Sequence, residues 1–345
     1  MTLKDIAKAA EVSTSTVSRV LNDKDTKAAS KEVRERIWKI IRETGYVPNE
    51  TAQNLRSSKH GVRKTVGERR YFACIYARSQ DNQDMFFAEL AKAIEYEAYK
   101  KNYILKSSFY MEDLEEKNFK NTLKALEVSG IVVLGRFEKE RINTITETQK
   151  NVVYVGLNFT SYKHDVVFCD GFKAGIKAME TLLELGHRKI VYIGETNKEN
   201  RYKSYCEALA ANGIKAERSM IVNVKQGLEG GYQGACELLK RQTDFTAVFC
   251  ANDATAIGAI KGLQEGGYKI PSDISVISID DIEMSRYFTP MLTTIHIPID
   301  ELGRQAAKTL IDRIENGHTL PIKMELPFFL AKRDSCAKCK GMTSV

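Results

Sequence analysis

The chain has 345 residues, 43% of them hydrophobic, enough for two or three compact units each with its own core. No run approaches the roughly 18 apolar residues of a membrane-spanning helix. The net charge of +7 lies wholly in residues 1–70, which carry 16 basic and 9 acidic side chains, while the other 275 residues hold 36 of each. A basic balance confined to one end predicts a polyanionic partner for that end alone.

Leu3, Ile6, Ala7 and Ala10 recur at i, i+3, i+4 and i+7, the pattern of a short amphipathic helix. Only Glu11 and Val12 separate it from Ser13, whose hydroxyl can cap a second helix by accepting a backbone N–H bond. In that second helix Val17, Val20 and Leu21 share one face, and Thr14, Ser15, Ser18 and Arg19 the opposite one. The pair reads as a helix-turn-helix, which sets its second helix into the DNA major groove with a polar face toward base edges and phosphates. A plain helical hairpin with a solvated polar face would show the same local pattern.

Ser30 can cap a third helix running to about Thr44, with Val33, Ile37, Ile40 and Ile41 on its packing face and Gly45 as its stop. After the breaker cluster Gly45-Tyr46-Val47-Pro48-Asn49 comes a short polar helix, Glu50 to Ser58, too poor in apolar residues to be stable without a partner. Residues 59–70 are polar and basic and read as a linker.

From Tyr71 the pattern changes. Short apolar runs at Phe72–Tyr76, Ile131–Leu134, Val152–Val155, Ile190–Ile193, Ala247–Cys250 and Ser275–Ile279 alternate with helical stretches, which describes parallel sheets covered on both faces. A second copy of the theme begins near Asp170, so two doubly wound α/β lobes are expected over residues 71–333, followed by a polar tail, 334–345. Ligands of open sheets sit beyond the carboxyl ends of strands, and Asn252, Asp253, Asp280 and Asp281 each follow a predicted strand. Carboxylates, the two-way Asn amide and the Arg fork suit a hydroxyl-rich ligand such as a sugar. Asn252 could equally cap the helix after it, Asp281 could serve a local turn, and Phe86 could be core.

Seven cysteines, an odd number in mostly apolar segments, agree with a reducing compartment and not with a disulfide framework. With a helix-turn-helix where a signal peptide would have to be, a cytoplasmic location is expected. Cys336 and Cys339 form a lone CxxC with no second pair to complete a zinc site. There is no GxSxG, no HExxH and no phosphate-binding Gly loop, and the five histidines stand singly, so neither an enzyme nor a cofactor or metal is expected. His296, beside the expected cleft, could touch ligand or hinge.

TLKDIAKAAEVSTSTVSRVLN, followed by GYVPN and AQNLR, is similar to the DNA-binding headpiece of the lactose/galactose repressor (LacI/GalR) family of bacterial transcription regulators. Further signposts are FFAEL, LGHRKIVYIG, ANDATAIGA, PSDISVISIDD and PMLTTIHIP, so the resemblance covers residues 1 to about 333. It implies a headpiece with a hinge helix over 1–58 and a two-lobed, periplasmic-binding-protein-like core that binds an effector and dimerises. Thr14 and Ser15 fall where such proteins read bases, Arg19 where an arginine meets base or backbone, and Ser13, Thr16, Ser18 and Asn22 where phosphates are held. Leu55 falls where a leucine is pushed into the minor groove, a wedge whose unstacking cost is offset by the contacts of the bent duplex.

Family effector contacts fall on Arg201, Asn252 and Asp280, with Phe86 and Phe87 on the cleft wall. Two departures stand out: Gly156-Leu157-Asn158 where many relatives have an aspartate, and Ile297 where lactose-type members have a glutamine. The implied function is a homodimeric repressor of a sugar-utilisation operon, released from a palindromic operator by a sugar, with galactose and galactoside operon repressors nearest in overall similarity. A regulator strengthened on DNA by a corepressor or a phosphorylated partner protein is the alternative, and a sugar-transport binding protein is disfavoured by the headpiece. The tail has no leucine heptad, so dimers rather than tetramers are expected.

Overall fold

The structure is a computed structural model that describes residues 3–22, 29–44, 70–77, 85–111, 116–157 and 163–340. The chain divides into two units, Met1–Glu68 and Arg69–Val345.

In the first unit α1 (Leu3–Ala9), α2 (Thr14–Asn22) and α3 (Lys31–Thr44) enclose a small core of Ile6, Ala7, Ala10, Val17, Val20 and Ile37. Glu11 supplies the left-handed residue of the turn at φ 52°, and the Val12 amide returns to the Ala7 carbonyl at 3.0 Å. Val33 and Ile40 pack at the margin of this core, as their spacing predicts. The side chains of Leu3, Leu21 and Ile41 lie outside the described residues, as do the expected fourth helix at 50–58, with Leu55, and the linker up to Arg69.

The second unit holds two six-stranded sheets in one continuous fold. The first lobe runs β1 (Arg70–Tyr76), α4 (Met85–Tyr99), β2 (Tyr103–Tyr110), α5 (Glu116–Ala125), β3 (Gly130–Leu134), α6 (Lys139–Thr148), β4 (Val152–Gly156) and β5 (Asp165–Cys169). The second runs α7 (Gly171–Glu184), β6 (Ile190–Gly194), α8 (Asn200–Ala211), β7 (Ile221–Asn223), α9 (Leu228–Lys240), β8 (Ala247–Cys250), α10 (Asp253–Glu265), β9 (Ser275–Asp280) and β10 (Thr293–His296). The chain then returns to the first lobe with α11 (Ile299–Ile314) and β11 (Lys323–Leu326), and ends in the second with β12 (Phe329–Ala331). The sheet orders are β2-β1-β3-β4-β5-β11, all parallel, and β7-β6-β8-β9-β10-β12, parallel except for β12.

The lobes are therefore joined at three crossings, after β5, β10 and β11. Each central strand is apolar because helices cover both faces; β3, β4, β5, β6, β8 and β9 are buried throughout. The segment that returns to the first lobe is pinned there by buried charge. Asp165 accepts from Arg313 at 2.5 and 2.7 Å and from the Ile322 amide at 2.7 Å, which ties α11 and the approach to β11 to the first lobe. Arg313's charge and these bonds offset the burial that would raise the Asp165 carboxyl and hold it below its usual range.

The C-terminal segment departs from the expected polar tail at 334–345. Ser335 is fully buried and bonds the Val276 carbonyl and the Thr293 amide, and the Cys339 amide donates to Leu185 O at 2.9 Å, so the chain as far as Lys340 is part of the second lobe. His187, buried beneath it, lies within hydrogen-bond distance of Thr246, Ser275 and the Ala337 carbonyl. Burial also pushes the Cys336 thiol up to about 12, which makes it an inert packing group. Among the described residues no helix is long and apolar enough to cross a membrane, and no cluster of His, Cys, Asp or Glu could hold a metal.

Candidate functional site

Ser13 caps α2. Its hydroxyl accepts from the Thr16 amide at 3.1 Å and sits 2.7 Å from the Ser15 hydroxyl and 2.9 Å from that of Thr16. Thr14 and Ser15 are exposed, Thr16 is half-buried, and Val17 and Val20 are buried on the other face, so the polar and packing sides of the helix are separated as the spacing predicts. Arg36 of α3 donates from Nε to the Ala10 carbonyl at 3.1 Å, holding the turn between α1 and α2. The side chains of Ser18, Arg19 and Asn22, and the whole of Leu55, lie outside the described residues.

In the second unit each sheet reverses its strand order beside its first strand, at β2-β1-β3 and β7-β6-β8. Crevices beyond strand ends at such points are where open sheets bind ligands, and there the two lobes form one cleft. Phe86 and Phe87 reach it from α4, Gly135 and Arg136 from the end of β3, and Leu157 from the end of β4. The second lobe contributes Glu199 and Arg201 at the start of α8, Gln226 before α9, Asn252 after β8 and Asp280 at the end of β9.

Local backbone devices shape these positions. Gly135 has φ +98°, and a Cβ there would lie 3.1 Å from the Phe87 ring, so only glycine lets β3 end against that wall. Asp280 and Asp281 both carry positive φ, at 133° and 59°, strain of the kind held at binding sites by the surrounding fold. That support comes from Asp253, which accepts from Ser278 and Thr294, each at 2.6 Å, and from the Ile282 amide at 3.0 Å, joining α10 to β9 and β10. Burial pushes the Asp253 carboxyl up to about 7. At α8, the Tyr205 hydroxyl donates to Ile190 O at 2.9 Å, and Gly175 of α7 allows approach so close that a Cβ would fall 1.9 Å from the Ser204 hydroxyl oxygen.

The charges of the cleft are matched within the protein. Arg201 is clamped by Glu199, Nε to Oε1 at 2.8 Å and Nη2 to Oε2 at 3.0 Å, and donates further to Gln226 at 3.1 Å and to the Ala251 carbonyl at 2.8 Å. Across the cleft, Arg136 of the first lobe donates to Glu199 at 3.1 Å and to Glu195 at 2.8 Å. Burial alone would raise the Glu199 carboxyl, but Arg201 and Arg136 bring it down to about 2. Lys198 and Glu138 add a second, exposed pair between the lobes at 2.8 Å.

All four expected effector residues, Phe86, Arg201, Asn252 and Asp280, thus meet in one cleft. The open alternatives for Phe86 and Asn252 do not compete with this. Phe86 is 3% exposed and belongs to the core while forming the cleft wall, edge-on to Phe87 at 5.2 Å. Asn252 caps α10 through Oδ1, bonding the Thr255 amide and hydroxyl at 3.0 and 2.6 Å; neither bond uses Nδ2, the donor a ligand would need. Asp281 does serve a local role, joined to Ser285, Arg286, Arg333 and His296. His296 stacks on Phe329 and Ile297 is fully buried; neither lines the cleft. Sequence reading missed Arg136, Glu199 and Gln226; Arg136 closely follows the expected strand Ile131–Leu134, so the strand-end rule would have marked it, whereas Gln226 follows the short edge strand β7, which the sequence does not reveal.

Known proteins match both parts of the chain. Residues 2–49 match the family described as bacterial regulatory proteins, lacI family, and residues 179–336 match a periplasmic binding protein-like domain. The chain is 33% identical over 344 residues to the HTH-type transcriptional repressor PurR of Escherichia coli O139:H28 (strain E24377A / ETEC), with 97% of each chain covered. It is similar to the structure of a transcriptional regulator CelR–cellobiose complex, with TM-score 0.70 and 26% identity over 97% of this chain and 99% of that one. It is also similar to a LacI family transcriptional regulator from Enterococcus faecium with bound ribose, with TM-score 0.68 and 30% identity over 78% of this chain and 100% of that one. With a helix-turn-helix at its N-terminus and a two-lobed ligand-binding core behind it, the chain belongs to the lacI family of bacterial regulatory proteins and is a transcriptional repressor, not an enzyme.

Proposed function

We propose that this repressor controls genes for the use of a sugar, and that an uncharged sugar bound between the lobes releases it from a palindromic operator. The observation that carries this reading is the charge balance of the cleft. Both arginines are already paired, Arg201 with Glu199 and Arg136 with Glu195 and Glu199. A phosphate or carboxylate would have to displace one of these carboxylates and would meet Asp280 as well. Hydroxyls fit: Asp280 accepts, Asn252 offers Nδ2, and the Phe86 ring supplies the apolar surface that a sugar ring packs on. The cellobiose and ribose bound by two similar proteins support a sugar in general and do not single out a galactoside.

On DNA, Thr14 and Ser15 read base edges, Arg19 meets base or backbone, and Ser13, Thr16, Ser18 and Asn22 hold phosphates, while Leu55 is the minor-groove wedge. Two half-sites related by a two-fold axis need two headpieces, so the acting form is a homodimer, working in the cytoplasm where the operator is. Release requires the sugar to bind one arrangement of the lobes better than the other. The test is a thermal-shift screen of neutral sugars against their phosphates, since a ligand selective for the folded state raises the Tm with concentration. A neutral sugar should raise the Tm and its phosphate should not; stabilisation by the phosphate alone would overturn the charge argument.

A further inference from the structure

We infer that residues 136–138 and 195–199 form a clasp between the lobes, away from the crossings, which holds the lobes together and so sets how readily the effector site closes. The crossings lie along one edge of the core: β5 and β11 are neighbours at an edge of the first sheet, and β10 and β12 at an edge of the second. The clasp hangs on the ends of β3, two strands in from β5, and of β6, three in from β10. At about 4.8 Å per strand that is about 10–14 Å from the crossings, where a rotation of one lobe about them parts the two sides.

The bonds of the clasp run in both directions. Arg136 of the first lobe donates from Nη1 to Glu199 at 3.1 Å and to the Lys198 carbonyl at 2.9 Å, and from Nη2 to Glu195 at 2.8 Å. In the opposite sense, Lys198 of the second lobe donates to Glu138 of the first at 2.8 Å. Lys198 thus takes part through both its carbonyl and its ammonium. It does so at φ 50°, a left-handed conformation that a residue with a side chain holds only at a cost. All four bonds join one lobe to the other, so parting the lobes breaks them together. Arg136 is half-buried and Glu199 buried, and water and salt screen their bond less than the exposed Lys198–Glu138 pair. The inner bonds therefore carry most of the hold, and the outer pair adjusts it.

The consequence for control rests on the sugar reading above. A sugar that touches Phe86 on one lobe and Asn252 and Asp280 on the other binds best with the lobes together, the arrangement the clasp also favours. The clasp therefore raises the fraction of the protein ready to bind and lowers the sugar concentration needed for release.

Hydrogen–deuterium exchange of the full chain, without any sugar, tests the clasp separately from that reading. Phe86 and Phe87 lie in the first turn of α4, whose amides have no acceptor within the helix, so their exchange follows the access of water to the cleft. It should be at least about 3-fold faster in Arg136→Gln than in the wild type, with core strands such as β4 unchanged. Glu138 and Lys198 are exposed and lie outside the cleft lining, and the Glu138 side chain makes no cap bond to α6. Glu138→Lys and Lys198→Glu should each speed the exchange about 2-fold, and the double variant, which remakes the pair with its signs exchanged, should return it to about the wild-type rate. Unchanged exchange in Arg136→Gln, or a double variant no slower than the single ones, overturns the clasp and leaves the sugar reading standing. If the exchange behaves as expected and no sugar raises the Tm, the clasp stands and the sugar reading falls.

Discussion

The Glu199–Arg201 clamp should be the most costly polar interaction of the cleft to break. Glu199 is 3% exposed and Arg201 8%, so Glu199→Gln leaves a guanidinium out of water without its counter-ion. Breaking such a buried pair on one side costs about 3–5 kcal/mol. An independent route gives a similar figure. The Glu199 carboxyl lies at about 2 against an ordinary 4.5, and at about 1.4 kcal/mol per pKa unit that displacement is worth about 3 kcal/mol. Glutamine keeps one acceptor for Arg201, which favours the lower end of the range.

The expected loss is therefore about 3 kcal/mol, seen as a fall in Tm of roughly 6–12 °C. Urea unfolding followed by circular dichroism, applied to Glu199→Gln, Arg201→Gln and the pair together, gives the coupling directly. The double variant should lose less than the sum of the singles, because Glu199→Gln leaves Arg201 without its carboxylate and Arg201→Gln leaves Glu199 with Arg136 alone, whereas the double removes both charges of the pair. A Glu199→Gln loss below about 1 kcal/mol, or strictly additive losses, would refute the view that the two charges exist for each other.

The same carboxylate sets a pH dependence. Its folded pKa lies below its unfolded one, so its contribution is complete above about pH 4.5 and is lost as the pH falls toward 2; urea midpoints measured at pH 5 and pH 3 should differ less in Glu199→Gln than in the wild type. Ser13→Ala removes the cap of the reading helix at a cost of about 1 kcal/mol and should weaken operator binding in fluorescence anisotropy while leaving the sugar-induced Tm shift intact. Leu55→Ala should also weaken operator binding and spare sugar binding; unchanged operator affinity would remove the wedge. Asp280→Ala should abolish both the sugar's Tm shift and its effect on DNA, with operator affinity retained, and normal induction in that variant would show the residue to be misassigned.

How far the sequence could be read depended on how a feature is buried. The central strands β1, β3, β4, β6, β8 and β9 are short apolar runs because both their faces are covered, and each is visible as such. The edge strands are not: β2, β7, β11 and β12 alternate or are half-exposed, and their residues, such as Lys-Met-Glu-Leu in β11, resemble surface loops. β5 is apolar but begins with Asp165, whose burial is explained by partners far along the chain, Arg313, 148 residues away, and the Ile322 amide, 157 residues away.

The cleft divides in the same way. Asn252 and Asp280 carry a local signal, polar residues after an apolar strand. Arg136 and Glu199 do not reveal their partnership, since they lie 63 residues apart and on different lobes. The C-terminal segment looked polar and free because it is held by the small polar side chain of Ser335 and by backbone groups such as the Cys339 amide, which leave little trace in a hydrophobic pattern.

The central claim is that occupancy of the cleft governs the grip of the headpiece on DNA. A duplex selected from genomic fragments by the purified protein, titrated at near-physiological salt with and without the sugar that raises the Tm, tests it most directly. The selected duplex should bind at least about 10³-fold more tightly than random sequence, and the sugar should remove most of that advantage. Equal affinity for selected and random duplexes, or a preference that the sugar leaves untouched, would contradict it.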